Sequence, residues 1–493
     1  MTAALRDYSL AGPENRRARE RGLAGAPWWK PPIDENRLVE LMARSNARAA
    51  RDTALWLGGT IALAVVIVLS WFSWYSLPLL FVYGALYGGA ADSRWHECGH
   101  GTAFRSTTAN NVVYYIASFM LWREPTMWRW SHYRHHSDTI IVGRDAEIVF
   151  PRPPNVRSLP LTFSHVVNSP KMLWRLLQHA AGRIDADAAD FIPVSEHRRL
   201  IAEDRIFAAI LAAAVAGSLI LWHPLPVLLI GLPTIYGGWL VVFFGITQHA
   251  GLQEDVLDHR LNTRTVYMNP LFRFLYSNMN YHIEHHLFPG VPYHALPALH
   301  EEIKDSLPPA LPNTRAAYRE LLGAMRRQST DVTWEVPGRG VPDVPDASLS
   351  LVDHGPIVPD EQQAASASTS AGTADLGALS EIEVGRARRC DIGDRTYSLY
   401  RLSESEVALS DGLCTHAAAH LSEGLVHDGA IECPKHNGRF DLRTGEPLRR
   451  PAKDPLKIYP CEVVRGRIVA DLSTAEASSA PSASNNRNNK ETS

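Results

Sequence analysis

Two stretches of the chain carry no charged residue, Thr53 to Ala91 and Ile206 to Gln253. Each is long enough for two membrane-crossing helices of ~17–25 residues, so each predicts a helical hairpin. Turns are expected near Ser76-Leu77-Pro78 and at Trp222-His223-Pro224. Between the hairpins, Asn111 to Trp122 is apolar but too short to span, which suits a re-entrant or interfacial segment. Leu159 to Arg183 mixes Leu173, Trp174, Leu176 and Leu177 with Lys171, Arg175 and Arg183. That pattern predicts an amphipathic helix in a membrane interface, or an ordinary cytosolic cap helix. Near residue 381 the pattern changes. Short strands such as TYSLYRL, AIECP and RIVADL alternate with Gly and Asp turns, predicting a small β domain. The fold class expected is therefore multi-domain: an all-α membrane domain of four transmembrane helices with a cytosolic helical cap, then a small all-β domain.

Composition sets the boundaries. Residues 1–52 read as a polar cytosolic segment rich in arginine, including Arg16, Arg17, Arg19, Arg21, Arg44, Arg48 and Arg51, without the apolar core of a signal peptide. Residues 53–334 hold the membrane domain. Residues 335–380 are Pro, Ala, Ser, Gly and Asp with almost no aromatic content, the composition of a flexible linker. Residues 381–472 form the β domain, and 473–493 resemble the linker and are expected to be disordered. APWWKPP offers Trp28 and Trp29 either to a membrane interface or to a simple loop.

Charge fixes the orientation. Both outer turns lack Lys and Arg, so the arginine-rich segments share one face, which the positive-inside rule makes cytoplasmic. A bacterial-type inner membrane is the expected location. A net charge of −3 and a pI near 6.7 give no reason to propose nucleic acid as a partner. Five cysteines, Cys98, Cys390, Cys414, Cys433 and Cys461, are too sparse and odd a set for a disulfide framework.

The chemistry lies in histidine spacing. RWHECGHGTAF holds His96 and His100, SHYRHH holds His132, His135 and His136, and NYHIEHH holds His282, His285 and His286. Spacings of i, i+3 and i+4 place each set on one face of a helix. A further candidate, His249, ends the second apolar run. Nine clustered imidazoles can surround two metal ions of the iron, copper or zinc kind. On the hairpin topology, all four groups emerge at one membrane face.

HxxxH, HxxHH and HxxHH in that order, interleaved with apolar hairpins, resemble the membrane fatty-acid desaturase and hydroxylase superfamily over residues 50 to 310. The wording around the boxes (ECGHGTAF, SHYRHHSDTIIVGRDAEI, NYHIEHHLFPGVPYHALP) is most similar to rhizopine oxygenase-like members. The resemblance implies a di-iron centre held by His96, His100, His132, His135, His136, His249, His282, His285 and His286, with O2 as co-substrate. Glu97, Asp138, Asp145 and Glu284 are expected either to orient ligand imidazoles or to serve as solvated charges.

The β domain carries Cys414-Thr-His416 and Cys433-Pro-Lys-His436. Two cysteines and two histidines can hold one tetrahedral zinc. With Gly438 and Phe440 following, the motif resembles Rieske ferredoxins over the whole domain. That resemblance implies a [2Fe–2S] cluster, with Cys414 and Cys433 on one iron and His416 and His436 on the other. Cys390 and Cys461 fall outside the motif and are expected to be packing residues.

Together the two sites predict an O2-dependent oxygenase fused to its own ferredoxin. A linker of ~40 residues reaches roughly 35 Å and holds the donor at mM local concentration. No flavin or nicotinamide motif is present, so electrons are expected from NAD(P)H through a separate flavin-type ferredoxin reductase. The reaction expected is hydroxylation, or hydroxylative demethylation, of a C–H bond in a small molecule; the alternative is desaturation of an acyl lipid. A distant alternative reads His96-Glu97-Cys98-Gly99-His100 as the HExxH of an intramembrane zinc metalloprotease. A non-enzymatic electron carrier leaves the clustered histidines without a role.

Overall fold

The computed structural model describes residues 6–341, apart from 25, 27 and 338, and residues 368–473, apart from 371–372, 394, 417–418, 434–437 and 450–451. The chain divides into two compact units, Met1–Ile357 and Val358–Ser493.

The first unit is helical. Helix α1 (Asn46–Leu69) begins where the Ser45 hydroxyl accepts from the Arg48 N–H. It turns back through residues 70–75 into α2 (Ser76–Gly84), a π-helical turn (Ala85–Gly89) and α3 (Ala90–His100). The hairpin turn thus falls before Ser76-Leu77-Pro78. Pro78 sits instead in the first turn of α2, where a missing N–H leaves no intrahelical bond unmade. The returning arm runs on into the helix that carries His96 and His100, which ends at Gly101 in the left-handed conformation.

Asn111 to Leu121 lies in α4 (Thr107–Leu121), whose Val113, Tyr114, Ala117 and Met120 are buried, and Trp122 caps its end. After α5 (Pro125–Ser137) and α6 (Asn168–Ala180), the second hairpin rises in α7 (His197–Ile220). It turns at Leu221 to Pro224, as expected, and returns through a π-helical turn (Val227–Gly231), α8 (Pro233–Gly237) and α9 (Trp239–His249). Helix α10 (His282–Leu287) follows.

The two returning arms touch backbone to backbone. A Cβ at Gly237 would lie 1.9 Å from the Gly84 carbonyl oxygen, so no larger residue fits without displacement. Carbonyls around the second π turn are met by tyrosines. Tyr83 donates to Leu229 O (2.7 Å), Tyr87 to Ile230 O (3.3 Å) and Tyr236 to Leu228 O (2.7 Å). Trp56 closes the first hairpin by donating to Leu86 O (2.8 Å).

Among the described residues, one helical stretch, Asn36–Leu69, whose apolar part is α1, is long and apolar enough to cross a membrane. The other three arms are interrupted by π turns, by Pro233 and Gly238, or by a polar first half that includes Glu203, Asp204 and Arg205. Both hairpin tips nevertheless expose large apolar side chains, with Phe72 at 87% and Trp222 at 94% of full exposure.

The polar N-terminal segment packs onto this unit. Arg6 pairs with Glu254 and Asp255, and Tyr8 donates to Glu254 (2.7 Å). Trp28 stacks on His259 at 4.1 Å, and the Arg260 guanidinium lies over the Trp29 ring. Both tryptophans are thus engaged by protein groups. Most of the expected linker, residues 342–367, and nearly all of the expected tail, residues 474–493, lie outside the described residues; both edges of the linker are structured. Val336 and Val341 are buried, and Thr373–Ala378 is a strand whose alternate residues Ala374 and Leu376 point inward.

The second unit holds three four-stranded antiparallel sheets among its described residues. The strand Arg395–Arg401 separates two cores. Tyr397 and Leu399 face one, with Leu376, Cys390, Leu409 and Ile468, while Tyr400 faces the other, with Cys414, Leu421, Ile431, Cys433 and Phe440. Cys390 is buried and Cys461 packs against the first core, in keeping with packing roles.

Candidate metal centre

The structure gathers all nine sequence-selected histidines into two groups. His96, His100, His132, His136 and His285 form one; His135, His249, His282 and His286 form the other. Helix α3 supplies two, α5 three, α10 three, and α9 ends on the ninth. His132 and His136 share a face of α5 with the first group, while His135 turns to the second. Helix α10 divides its residues with the groups exchanged: His282 and His286 face the second group and His285 the first. Arg94, buried in α3, locks this helix to the segment before box 3 by donating to Phe274 O (2.8 Å) and Leu275 O (2.6 Å).

Nε2 atoms face one another throughout. His96 and His285 approach to 2.7 Å, His100 and His132 to 3.0 Å, and His136 lies 3.2 Å from both His132 and His285. In the second group, His282 is 3.1 Å from His249 and 3.2 Å from His286. Neutral imidazoles cannot all satisfy such contacts, because each ring has one donor and one acceptor nitrogen. Nitrogens bound about 2.1 Å from one ion at right angles are about 3.0 Å apart, so the spacing suits a shared cation. Burial, reinforced by neighbouring imidazoles, holds His96, His136, His282, His285 and His286 well below the usual histidine range, which keeps their nitrogens free for metal.

On the far side of the rings, Nδ1 partners fix several imidazoles. His135 meets Asp145 at 2.8 Å, His132 meets Glu147 at 3.3 Å, His249 meets the Asn262 carbonyl at 2.8 Å, and His286 meets Thr139 at 3.3 Å. Burial pulls His135 down, but the Asp145 carboxylate outweighs it and raises the group to about 9. Of the four carboxylates expected either to orient ligands or to serve as solvated charges, Asp145 bonds a ligand imidazole directly. Asp138 pairs with Arg144 (2.7 Å), and Glu284 accepts from Thr265 (2.6 Å) and bonds His300. Glu97 accepts from the Tyr293 N–H (3.2 Å) and belongs to neither histidine group, unlike the general base of an HExxH protease. Sequence reasoning missed Glu147, two residues beyond Asp145 in GRDAEI, and His259, whose ring lies 4.9 Å from that of His286.

A cavity of about 70 Å³ opens beside His135 and His249. Its wall mixes Ile140, Val149, Phe150 and Ile246 with Glu147, Arg152, Gln248, Glu254 and Gln328. Arg152 pairs with Glu254 (3.4 Å), whose carboxyl is raised by burial. Separately, an open apolar groove of about 390 Å³ is lined by residues including Leu57, Ile61, Ala64, Tyr83, Tyr87 and Met120.

In the β unit, Cys414 and Cys433 are buried in one core, with His416 half-buried beside Cys414; His436 lies outside the described residues. Backbone bonds from Cys414 N to Ala419 O (2.9 Å) and from Cys433 N to Gly438 O (2.7 Å) close the two loops.

Buried imidazoles arranged for paired ions, in a chain that also carries an iron–sulfur-type β unit, define an O2-dependent oxidoreductase. The comparisons give its family. Residues 72–318 match the fatty acid desaturase family and residues 373–460 the Rieske [2Fe-2S] domain, so the chain belongs to the fatty acid desaturase family and carries a C-terminal Rieske domain. The Rieske part is similar to the anthranilate 1,2-dioxygenase ferredoxin subunit of Burkholderia cepacia. The two are 37% identical over 97 residues, which is 20% of this chain and 89% of that protein. It is also similar to the ferredoxin component of the naphthalene 1,2-dioxygenase system of Pseudomonas aeruginosa, 39% identical over 99 residues, covering 20% and 94%. Among solved structures, a chain in the complex of reduced oxygenase and oxidized ferredoxin in carbazole 1,9a-dioxygenase aligns with a TM-score of 0.20 and 31% identity, covering 21% and 94%. The cofactors are accordingly a di-iron centre and a [2Fe–2S] cluster, and the histidine groups fit the former.

Proposed function

We propose that this chain is a membrane-bound di-iron oxygenase that hydroxylates, or hydroxylatively demethylates, a small polar substrate, with its Rieske domain as built-in electron donor. The observation that carries the reading is the polar-lined cavity against His135 and His249. In this role the nine imidazoles hold two iron ions, which when bound supply O2 activation and cleavage of a strong C–H bond. Cys414, His416, Cys433 and His436 hold the cluster. Asp145 and Glu147 keep the Nδ1 proton on His135 and His132, so that Nε2 points inward. Arg152, Gln248 and Glu254 hold polar groups of the substrate. The balance is RH + O2 + 2 e⁻ + 2 H⁺ → ROH + H2O. The Rieske domain passes the electrons singly, from NAD(P)H by way of a separate flavin reductase. Where the hydroxylated carbon is an O- or N-methyl group, the product collapses to an aldehyde and the demethylated compound.

The exposed apolar hairpin tips support insertion of both hairpins into a bilayer, as four crossings with the histidine face cytoplasmic. A second reading, fatty acyl desaturation, is favoured by the apolar groove and by the family itself. Full-length protein purified in detergent is expected to hold about four iron and two acid-labile sulfide per chain. With a ferredoxin reductase and NADH it is expected to consume O2 and release formaldehyde from methylated polar compounds. Release of an alkene from acyl substrates, without turnover of polar ones, would establish the second reading. Zinc in the histidine groups in place of iron would overturn both.

A further inference from the structure

Outside the histidine centre, Glu124, His179 and Asp204 bring one ligand atom each to within 4.8 Å of one another. All three are buried, at 1%, 0% and 0% exposure. They come from three elements: Glu124 immediately precedes α5, His179 lies in the last turn of α6, and Asp204 sits in the lower half of α7. His179 Nδ1 bonds Glu124 and lies 3.8 Å from Asp204 Oδ2. Its Nε2 meets Asp185 at 3.1 Å. An imidazole backed by one carboxylate while its other nitrogen faces the site is the arrangement that orients histidine ligands at metal centres.

Asp204 gives the independent observation. Its side chain is fully buried, yet neither oxygen meets an N–H or hydroxyl donor; its close neighbour is the Glu124 carboxylate, which can bond it only by sharing a proton. An ionised carboxylate buried without a donor is strongly unfavourable, so the group must hold a proton or meet a cation. Burial, then the charge of Glu124, pushes its carboxyl well above the usual carboxylate range. The cations nearby are spoken for. Arg175 donates to the other Glu124 oxygen (3.1 Å), and Arg199 pairs with Glu203 (2.7 Å), whose second oxygen accepts from the Thr126 N–H (2.9 Å).

We propose that Glu124, His179 and Asp204 bind one divalent cation of the zinc class, buttressed by Asp185 and distinct from the paired histidine centre. One nitrogen and two carboxylates suit such an ion, and a fourth position is left for water. The ion replaces the contact between two carboxylates with two metal–oxygen bonds, and clamps α6 and α7 to the start of α5. Box 2 begins eight residues further along α5, about 12 Å away. The ion therefore braces the helix that supplies three of the nine imidazoles without touching them.

The test uses iron-loaded, full-length protein in detergent. It is given one equivalent of Zn2+ and desalted, and zinc and iron are then counted per chain. About one zinc retained above an unchanged iron count is expected, with a zinc-dependent rise in Tm. Asp204→Asn and His179→Gln should each lose the retained zinc and the Tm rise. Zinc that is not retained, that displaces iron, or that is retained equally by either variant overturns the proposal. So does an Asp204→Asn protein that is more stable than wild type regardless of zinc, because Asp204 then only shares a proton with Glu124. Should one variant fail to fold, the other and the wild-type stoichiometry still decide.

Discussion

At the scale of single residues, the outer partners of the imidazoles are the most exposed to test. Asp145 is buried, holds His135 at 2.8 Å and also accepts from the Ile140 N–H (2.8 Å). Asp145→Asn is expected to weaken metal binding in the four-histidine group by about 10–100-fold. Iron titration into metal-stripped protein measures this directly. Glu147→Gln should cost less, since its bond to His132 is longer, at 3.3 Å. The histidines themselves were legible from spacing, because a helix turns i, i+3 and i+4 into a common face whatever the tertiary fold. Their partners were not. Asp138 and Glu284 are closer in sequence to a box than Asp145, but Arg144 and His300 claim them.

At the scale of elements, the contact between α2 and α8 is decisive. Gly237→Ala forces its new methyl into the Gly84 carbonyl and must part the two returning arms. Overpacking of this kind costs about 1–3 kcal/mol, and a contact of backbone on backbone leaves no side chain to yield. A lower Tm, with loss of iron at the same temperature, is the expected result, read by thermal scanning of the detergent-solubilised protein. The two hairpins were readable as uncharged runs. The π turns were not, because an apolar run gives no polar positions by which to mark the phase of a helix. The first turn was misplaced for a local reason. Pro78 suggests a break, yet the first turn of a helix accepts proline as readily as a loop does.

At the scale of the whole molecule, two redox units on one chain should be separable by a single substitution. Cys433→Ser is expected to remove the [2Fe–2S] cluster. About two of four iron and all acid-labile sulfide are then lost, with the iron of the histidine groups retained. NADH-driven turnover should vanish, while a small chemical reductant restores part of it, as activity assays and iron analysis would show. The division of the chain was plain from composition; its edges were not. Thr373–Ala378 lies in an Ala- and Ser-rich stretch that reads as linker, but Ala374 and Leu376 suffice to pair it with the strand Arg467–Asp471 and close a sheet.

The π turn at Ala85–Gly89 gives this chain an uneven tolerance of insertions and deletions. Such a turn holds one residue more than the regular helix it interrupts, so excising a residue there relaxes it to α and preserves the rotational phase of α3. Excising one residue between Ala90 and Trp95 instead rotates His96 and His100 by about 100° relative to the arm that carries them. Two deletions a few positions apart in one continuous arm should therefore have opposite fates, one keeping its imidazoles in the ring and the other turning them out.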